Sequence, residues 1–268
     1  LQARTGVSVP VAVAMRYGKP SLDEAMRQLD QAGVRRLLVF PLYPQYSATT
    51  TAASLDGVFD ELKQWRWLPE LRTITHYHDH PGYIAALANS IEEHWLAHGK
   101  ADRLLFSFHG MPRRYFDQGD PYFCECQKTV RLLVKRLAMA EADYGVSFQS
   151  RFGPMEWLRP YTDETVAALP AQGVRKLDVV CPGFAVDCLE TIEEIAGENA
   201  EIFTHAGGEA LRYVPALNDS DAHVQALLPL LRRQGAGWPE FEPGSWDAGA
   251  ETTADAVRAQ RFEQFQRG

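Results

Sequence analysis

Residues 174–200 read VRKLDVVCPGFAVDCLETIEEIAGENA and contain the two kinds of segment from which most of the chain is built. Val174 to Cys181 is a short segment with three valines, and its length and composition predict a strand. Asp187 to Ala200 reads as the helix that follows it. A strand followed directly by a helix predicts one unit of a parallel sheet.

The same alternation extends over most of the chain in both directions. The predicted strands are 11–15, 36–42, 71–76, 103–108, 146–152, 174–181 and 211–217. The predicted helices begin with a capping box at Ser21 and Glu24 that opens a helix ending near Gly33. The others are 49–65, 81–98, 123–140, 162–169, 187–200 and 222–233.

The number of these units favours two parallel sheets over one. We therefore expect an α/β fold of two parallel sheets, each with helices on both faces, and a boundary near Gly99. The expected domains are residues 1–99, residues 100–235 and a C-terminal tail, 236–268, rich in glycine, proline and tryptophan.

The composition excludes several classes of protein. A net charge of −8 argues against a nucleic-acid binder, because such proteins carry a basic stripe. The sequence has no Gly-rich phosphate-binding motif, which sets aside a nucleotide-binding module. Four cysteines in 268 residues favour a reducing cytoplasm over a disulfide framework. No apolar stretch approaches the length of a membrane span.

Candidate ligand-binding residues follow three of the predicted strands, where open α/β sheets bind their ligands. Residues 41–47 read PLYPQYS, a rigid aromatic loop suited to a flat apolar ligand, although an ordinary turn with its tyrosines packed on the core fits equally well. His109 ends the next such strand, before Gly110-Met111-Pro112, where its imidazole could take up a proton or bind a metal.

The segment that follows the third of these strands, 174–181, carries four carboxylates at spacings of three, four and four residues. They share one face of the predicted helix 187–200 and are Asp187, Glu190, Glu194 and Glu198. Such a row offers weak, exchangeable sites to divalent cations. A solvated acidic face is the alternative. His76, His78 and His80 also alternate, and here we favour a solvated loop over a metal site.

Several motifs resemble the ferrochelatase family in order and spacing, over about Met15 to Leu217. They are PLYPQYS, FSFHGMP, GDPYFCEC, FQSRFGPMEWLRPYTDE and CPGFAVDCLETIEE. The resemblance implies two Rossmann-like halves with a porphyrin cleft between them, and insertion of Fe²⁺ into protoporphyrin IX to give protohaem with release of two protons. The alternatives are a chelatase for coproporphyrin or cobalt, and a non-catalytic tetrapyrrole or metal carrier.

The resemblance also implies roles for individual residues. His109 matches the essential histidine, and Glu190 the acidic residue opposite it across the macrocycle. The implied metal ligands are His109, Glu190, Glu194 and Glu198. The implied porphyrin-binding residues are Tyr46, Ser47, Trp157 and Phe184. Asp187 is expected to orient the histidine. Carboxylates in a cluster are expected to raise one another's pKa and so to suit proton transfer.

The resemblance implies no required cofactor, since Fe²⁺ is a substrate. We expect no iron–sulfur cluster, because Cys124 and Cys126 are too few ligands for one. The expected partners are protoporphyrin IX and Fe²⁺, without nucleic acid. The greasiness of the tetrapyrrole favours peripheral contact with a membrane. The chain is expected to begin after two N-terminal motifs of the family, and nothing in the sequence specifies an oligomeric state.

Overall fold

A computed structural model describes residues 9–242 and 248–267 of the chain. The fold is α/β, with two parallel sheets and helices, as the sequence predicts. The chain divides into two compact units. The first contains the described residues of Leu1–Pro41, Ala52–Ile74 and Leu228–Gly268, and the second contains Leu42–Thr51 and Thr75–Leu227.

The first unit has a sheet of two parallel strands, β1 (Arg36–Val39) and β2 (Glu70–Thr73). Helices α1 (Leu22–Gln31) and α2 (Ala53–Leu62) bury apolar side chains, among them Met26 and Val58, in one cluster with Leu37 of β1. The predicted capping box is confirmed, because the Ser21 hydroxyl accepts from the Glu24 N–H while the Glu24 carboxylate accepts from the Ser21 N–H.

The predicted strand from Val11 to Met15 is wrong. Its one β-bridge in the described chain joins Met15 to Ser21, and Val11 and Val13 are 51% and 66% exposed. Only the small side chains of Ala12 and Ala14 turn inward, to half-buried positions. An all-apolar run predicts burial on both faces, but this segment is covered on one face only and has no strand ladder.

The second unit has four parallel strands in the order β4-β3-β5-β6. They are β3 (Arg103–His109), β4 (Tyr144–Gln149), β5 (Lys176–Val180) and β6 (Ala210–Val214). The two central strands, β3 and β5, are almost wholly buried, as their apolar sequences predict. Their helices are α3 (Pro81–His98), α4 (Arg113–Asp117), α5 (Tyr122–Arg136), α6 (Thr162–Ala168), α7 (Leu189–Ile192) and α8 (Ala200–His205).

The predicted helix 187–200 is interrupted. Helix α7 starts at Leu189, a π-helical turn covers Glu194–Asn199, and α8 continues from Ala200. A second π-helical turn, Ala48–Ala52, precedes α2. A π-helical turn inserts an extra residue per turn, so side chains four apart no longer lie directly above one another.

The compact units do not follow the predicted boundary at Gly99. Helix α3 buries Tyr83, Ile84 and Leu87 and packs on α5 and β6, which places it in the second unit. The last helices are α9 (Asp221–Gly235), which runs from the second unit into the first, and α10 (Ala248–Arg267). Trp238, in the predicted tail, is buried in the first unit beneath the Arg72 guanidinium. In the described residues, no helix combines the length and the apolarity needed to cross a membrane.

Asp178 on β5 is a buried charge whose loss should destabilise the second unit. Its carboxylate accepts from Arg212 Nε at 2.8 Å and from Trp95 Nε1 at 2.9 Å, and it is 0% exposed. We expect Asp178→Asn to cost about 3 kcal/mol in the free energy of unfolding, because breaking a buried ion pair leaves a charge without its partner. Urea denaturation measures this cost.

The matched control is Glu209→Gln. Glu209 also pairs with a cation beside β5, Lys176, but both side chains are about half exposed. A surface pair contributes at most about 1 kcal/mol. Equal losses for the two variants would contradict the assigned role of Asp178.

Candidate active site

The candidate site lies where three strands of the second unit end. His109 is the last residue of β3 and pairs in register with Gln149, the last residue of β4. Strand β5 ends at Val180, just before the loop that carries Phe184 and leads to Glu190. Because β4, β3 and β5 are parallel neighbours, their carboxyl ends meet at one edge of the sheet.

The side chain of Gln149, which is 2% exposed, ties this edge together. Its Oε1 accepts from the Ser107 hydroxyl at 2.7 Å, and its Nε2 donates to the Glu190 carbonyl at 2.6 Å. One amide therefore connects β3, β4 and the first turn of α7. Sequence reasoning missed Gln149, because a glutamine at the end of a strand carries no signal of its own.

The His109 imidazole has a defined proton arrangement. Its Nδ1 lies 2.7 Å from the Gly110 carbonyl, and since a carbonyl only accepts, Nδ1 carries the hydrogen. In the neutral imidazole Nε2 then has the lone pair, which can take up a proton or bind a metal, and in the protonated imidazole both ring nitrogens carry a hydrogen. The Phe184 ring lies 6.4 Å away between centroids, and the Tyr122 hydroxyl donates to the His109 carbonyl at 2.9 Å.

The Glu190 carboxylate is ionised more readily than an ordinary glutamate. A hydrogen bond from the Cys188 thiol lowers its pKa, and this effect, helped by its own N–H and by the charge of His109, outweighs burial. Burial and the same carboxylate raise the pKa of Cys188 to about 11. The expectation that the acidic cluster raises its members' pKa values is therefore wrong for Glu190, whose strongest neighbour is a hydrogen-bond donor.

Asp187 does not orient His109. Its carboxylate accepts from Asn218 Nδ2 at 2.7 Å, the Tyr213 hydroxyl at 2.8 Å and the Thr191 hydroxyl at 3.1 Å. The Ala216 N–H adds a fourth bond at 3.2 Å. These donors outweigh burial and lower the pKa of Asp187. The carboxylate holds the segment before α7 against the end of β6, so its oxygens are already used.

The two outer carboxylates differ from each other. Glu194 is half-buried and accepts from the Ser150 N–H at 2.6 Å and from the Ser150 hydroxyl. It thereby holds the turn after β4, where Ser150 has a positive φ of 62°. Glu198 is exposed. Both residues lie in the π-helical turn, so the straight row expected from helical spacing is distorted there.

The four predicted porphyrin-binding residues lie at the same loops but differ in exposure. Ser47, 1% exposed, donates to Asp120, and Trp157, 4% exposed, packs on Gly110, where a Cβ atom would come within 3.1 Å of the indole. Tyr46 and Phe184 are half-buried. Of these four residues, Tyr46 and Phe184 therefore leave aromatic surface open to a ligand, whereas Ser47 and Trp157 are buried.

This edge of the sheet also has exposed apolar side chains on the segments that follow β4 and β5. The sequence did not single them out. Phe152 is 71% exposed and lies 4.9 Å from the Trp157 ring between centroids. The others on the segments that follow β4 and β5 are Met155, Val186, Leu189 and Ile192. Apolar residues in loops that follow buried strands were the available signal. Together they make this edge suited to a large apolar ligand.

The fold is similar to that of solved chelatase structures. A solved structure of SirB from Bacillus subtilis with Fe³⁺ has a similar fold, with a TM-score of 0.62 and 13% identity, covering 87% of this chain and 85% of that one. The ferrochelatase family model matches residues 1–235, and the chain belongs to the ferrochelatase family.

Curated relatives are much closer in sequence. The ferrochelatase of Nitrosococcus oceani is 52% identical over 256 residues, which cover 96% of this chain and 69% of that protein. The ferrochelatase of Hydrogenovibrio crunogenus is 52% identical over 259 residues, which cover 97% and 68%.

The bonds to Asp187 predict a pH-dependent contribution to stability. Since its pKa is lowered in the folded protein, ionised Asp187 stabilises the fold above the ordinary carboxyl pKa, and this contribution is lost as the pH falls through the lowered value. We expect Asp187→Asn to cost about 2–3 kcal/mol at pH 7, the size of a hydrogen bond to a charged group. Urea denaturation across pH measures the difference, which should shrink on acidification. A difference independent of pH would contradict this account.

Proposed function

We propose that this chain inserts Fe²⁺ into protoporphyrin IX and releases two protons to give protohaem, the terminal step of haem biosynthesis. The observation that carries the proposal is that Gln149 pairs in register with His109 and donates to the Glu190 carbonyl, so that the histidine and the glutamate lie at one edge of one sheet. Membership of the ferrochelatase family gives the reaction class.

The apolar edge suits the porphyrin, which is flat and hydrophobic. It offers the apolar side chains of Phe152, Phe184 and Leu189, and the Trp157 ring packs against Phe152. In a flat porphyrin the nitrogen lone pairs and N–H bonds lie in the plane, out of reach of a metal on the axis. A site that binds a buckled ring better than a flat one lowers this barrier. Rigid aromatic side chains are the groups that enforce such a shape.

Glu190 attracts the metal, and His109 accepts a proton. Glu190, with its lowered pKa, is an anion at neutral pH and attracts the cation to the ring. His109 Nε2 keeps its lone pair and takes up a proton that leaves a pyrrole nitrogen. Two protons leave the ring as one Fe²⁺ enters, so the charge of the macrocycle is unchanged. Glu194 and Glu198 extend the acidic surface along which the metal approaches.

The proposal includes no cofactor and no iron–sulfur cluster. Cys124 is exposed whereas Cys126 is buried, and burial raises the pKa of the Cys126 thiol well above its ordinary value. All four cysteines are free thiols, which supports a cytoplasmic location. The partners are protoporphyrin IX and Fe²⁺, without nucleic acid. Peripheral contact with a membrane, through the exposed apolar residues, remains part of the proposal.

The first test is His109→Ala. We expect the rate of metal insertion to fall by about 10²-fold or more, the usual contribution of a positioned acid–base group. Loss of protoporphyrin fluorescence under anaerobic conditions, with Fe²⁺ or Zn²⁺, measures the rate. Porphyrin affinity, measured by fluorescence titration without metal, should change little. The control is His205→Ala, because His205 is exposed at the end of α8. Near-normal turnover of His109→Ala would remove this residue from the mechanism.

The second test is Glu194→Gln. If Glu194 guides the metal, the KM for the metal should rise several-fold while porphyrin affinity stays within about twofold, because outer carboxylates offer weak cation sites. Insertion rates at varied metal and fixed porphyrin, and the converse, separate the two effects. Glu201→Gln, on exposed surface of α8, is the matched control. Equal losses of both affinities would show that Glu194 acts only by holding the Ser150 turn.

A further inference from the structure

His76, His78 and Glu125 form a second group of metal-ligating side chains, which shares no residue with the site at the ends of the strands. Their ligand atoms all lie within 4.8 Å of one another. His76 Nδ1 is 2.8 Å from Glu125 Oε1, and His78 Nδ1 is 3.1 Å from Oε2. The histidines precede α3, and the glutamate lies in the first turn of α5.

The burial of His78 shows that this group is not the solvated loop expected from the sequence. The His78 side chain is 5% exposed, and its buried Nδ1 lies 3.1 Å from Glu125 Oε2 but does not have the geometry of a hydrogen bond. A buried polar atom without a hydrogen bond costs about 1–3 kcal/mol. A cation between the imidazole and the carboxylate would satisfy that atom.

The surroundings of Glu125 also suit a cation. Its carboxylate is contacted by both imidazoles and accepts from the Tyr46 N–H. The carboxylate side chain is only 12% exposed. An anion at this depth has two imidazoles beside it. The Lys128 ammonium, three residues further along α5, is paired with Asp79 at 2.6 Å.

We propose that His76, His78 and Glu125 bind one borderline divalent cation of the Zn²⁺ type. Two imidazole nitrogens and one carboxylate oxygen are the ligands that such cations prefer, and three protein ligands leave a fourth position for water. Ligand atoms around tetrahedral zinc are about 3.3 Å apart, from bond lengths of about 2.0–2.1 Å. The two histidine–glutamate distances are close to that separation, so small rotations of the side chains complete the site.

The cation would act on the loop that carries Tyr46. Glu125 Oε2 accepts from the Tyr46 N–H at 2.7 Å, so the carboxylate that binds the cation also holds this backbone. A bound cation fixes Glu125 in place and thereby fixes the start of the segment from Tyr46 to Ser47. The role is positional, because no atom of the cluster belongs to the His109 and Glu190 group.

Zinc titration of the full chain tests the proposal. The starting protein carries His109→Ala and Glu190→Gln, so that the proposed active site keeps only its weak outer carboxylates, Glu194 and Glu198. Competition with a chromophoric chelator then measures the remaining zinc affinity and stoichiometry. We expect one equivalent of tightly bound Zn²⁺. Adding His76→Ala should weaken it by more than about 100-fold, since even an outer-shell change costs about 10–100-fold. His76 is half exposed, so this variant should fold normally.

Two further variants complete the experiment. Glu125→Gln keeps an oxygen for the Tyr46 N–H but removes the charge, and it should weaken zinc binding as His76→Ala does. His205→Ala removes an exposed histidine outside the cluster and should leave the affinity unchanged. Absence of the tight equivalent in the starting protein, or zinc affinity within twofold after His76→Ala or Glu125→Gln, would overturn the proposal. Metal insertion into the porphyrin by the unmodified protein is measured separately. Failure of the proposed function is therefore distinguished from failure of the proposed zinc site.

Discussion

The buried side-chain amide of Gln149 is the interaction on which the candidate active site depends. The ends of parallel strands present backbone and side-chain groups that must be satisfied where the chain turns away. Gln149 does this for two elements at once, by accepting from Ser107 on β3 and donating to the carbonyl of Glu190. Because the Gln149 side chain is buried, leaving either of its amide atoms unsatisfied would be costly, so the amide fixes the position of α7 relative to the end of β3. The location of Glu190 at the same edge of the sheet as His109 follows from that constraint.

The chemistry of the site depends on which carboxylates are already occupied. The Asp187 carboxylate accepts hydrogen bonds from four donors and stabilises the fold. The Glu194 carboxylate accepts hydrogen bonds from Ser150. Glu190 instead receives a thiol hydrogen bond that lowers its pKa, while it remains only half-buried. Sequence spacing treats these three glutamate and aspartate residues alike. Hydrogen-bond donors, brought from distant parts of the chain, make Asp187 a structural group and hold the Glu194 carboxylate at Ser150, whereas Glu190 is left as an accessible anion.

The sequence predicts elements well where the signal is local. The capping box at Ser21 and the proline at the start of α3 are such signals, and α3 has the predicted bounds, Pro81–His98. The strand at Val11–Met15 fails because burial of both its faces requires neighbours that a local pattern does not encode. The same reason explains the site. His109 and Glu190 stand out from their strand ends and spacing, whereas Gln149 becomes important only through partners 41 and 42 residues away.

The first turn of α5 links the two clusters of polar residues. Tyr122 donates to the carbonyl of His109, and Glu125, three residues later, accepts from the N–H of Tyr46. Residues three apart lie on the same side of a helix, so one helical turn positions both the histidine strand end and the aromatic loop. Asp120 adds to this by accepting from the N–H of Tyr122 and from the Ser47 hydroxyl. Any group that fixes Glu125 therefore acts on the loop of Tyr46 through the hydrogen bond from the Tyr46 N–H. The loop and His109 are thus both held by the first turn of α5.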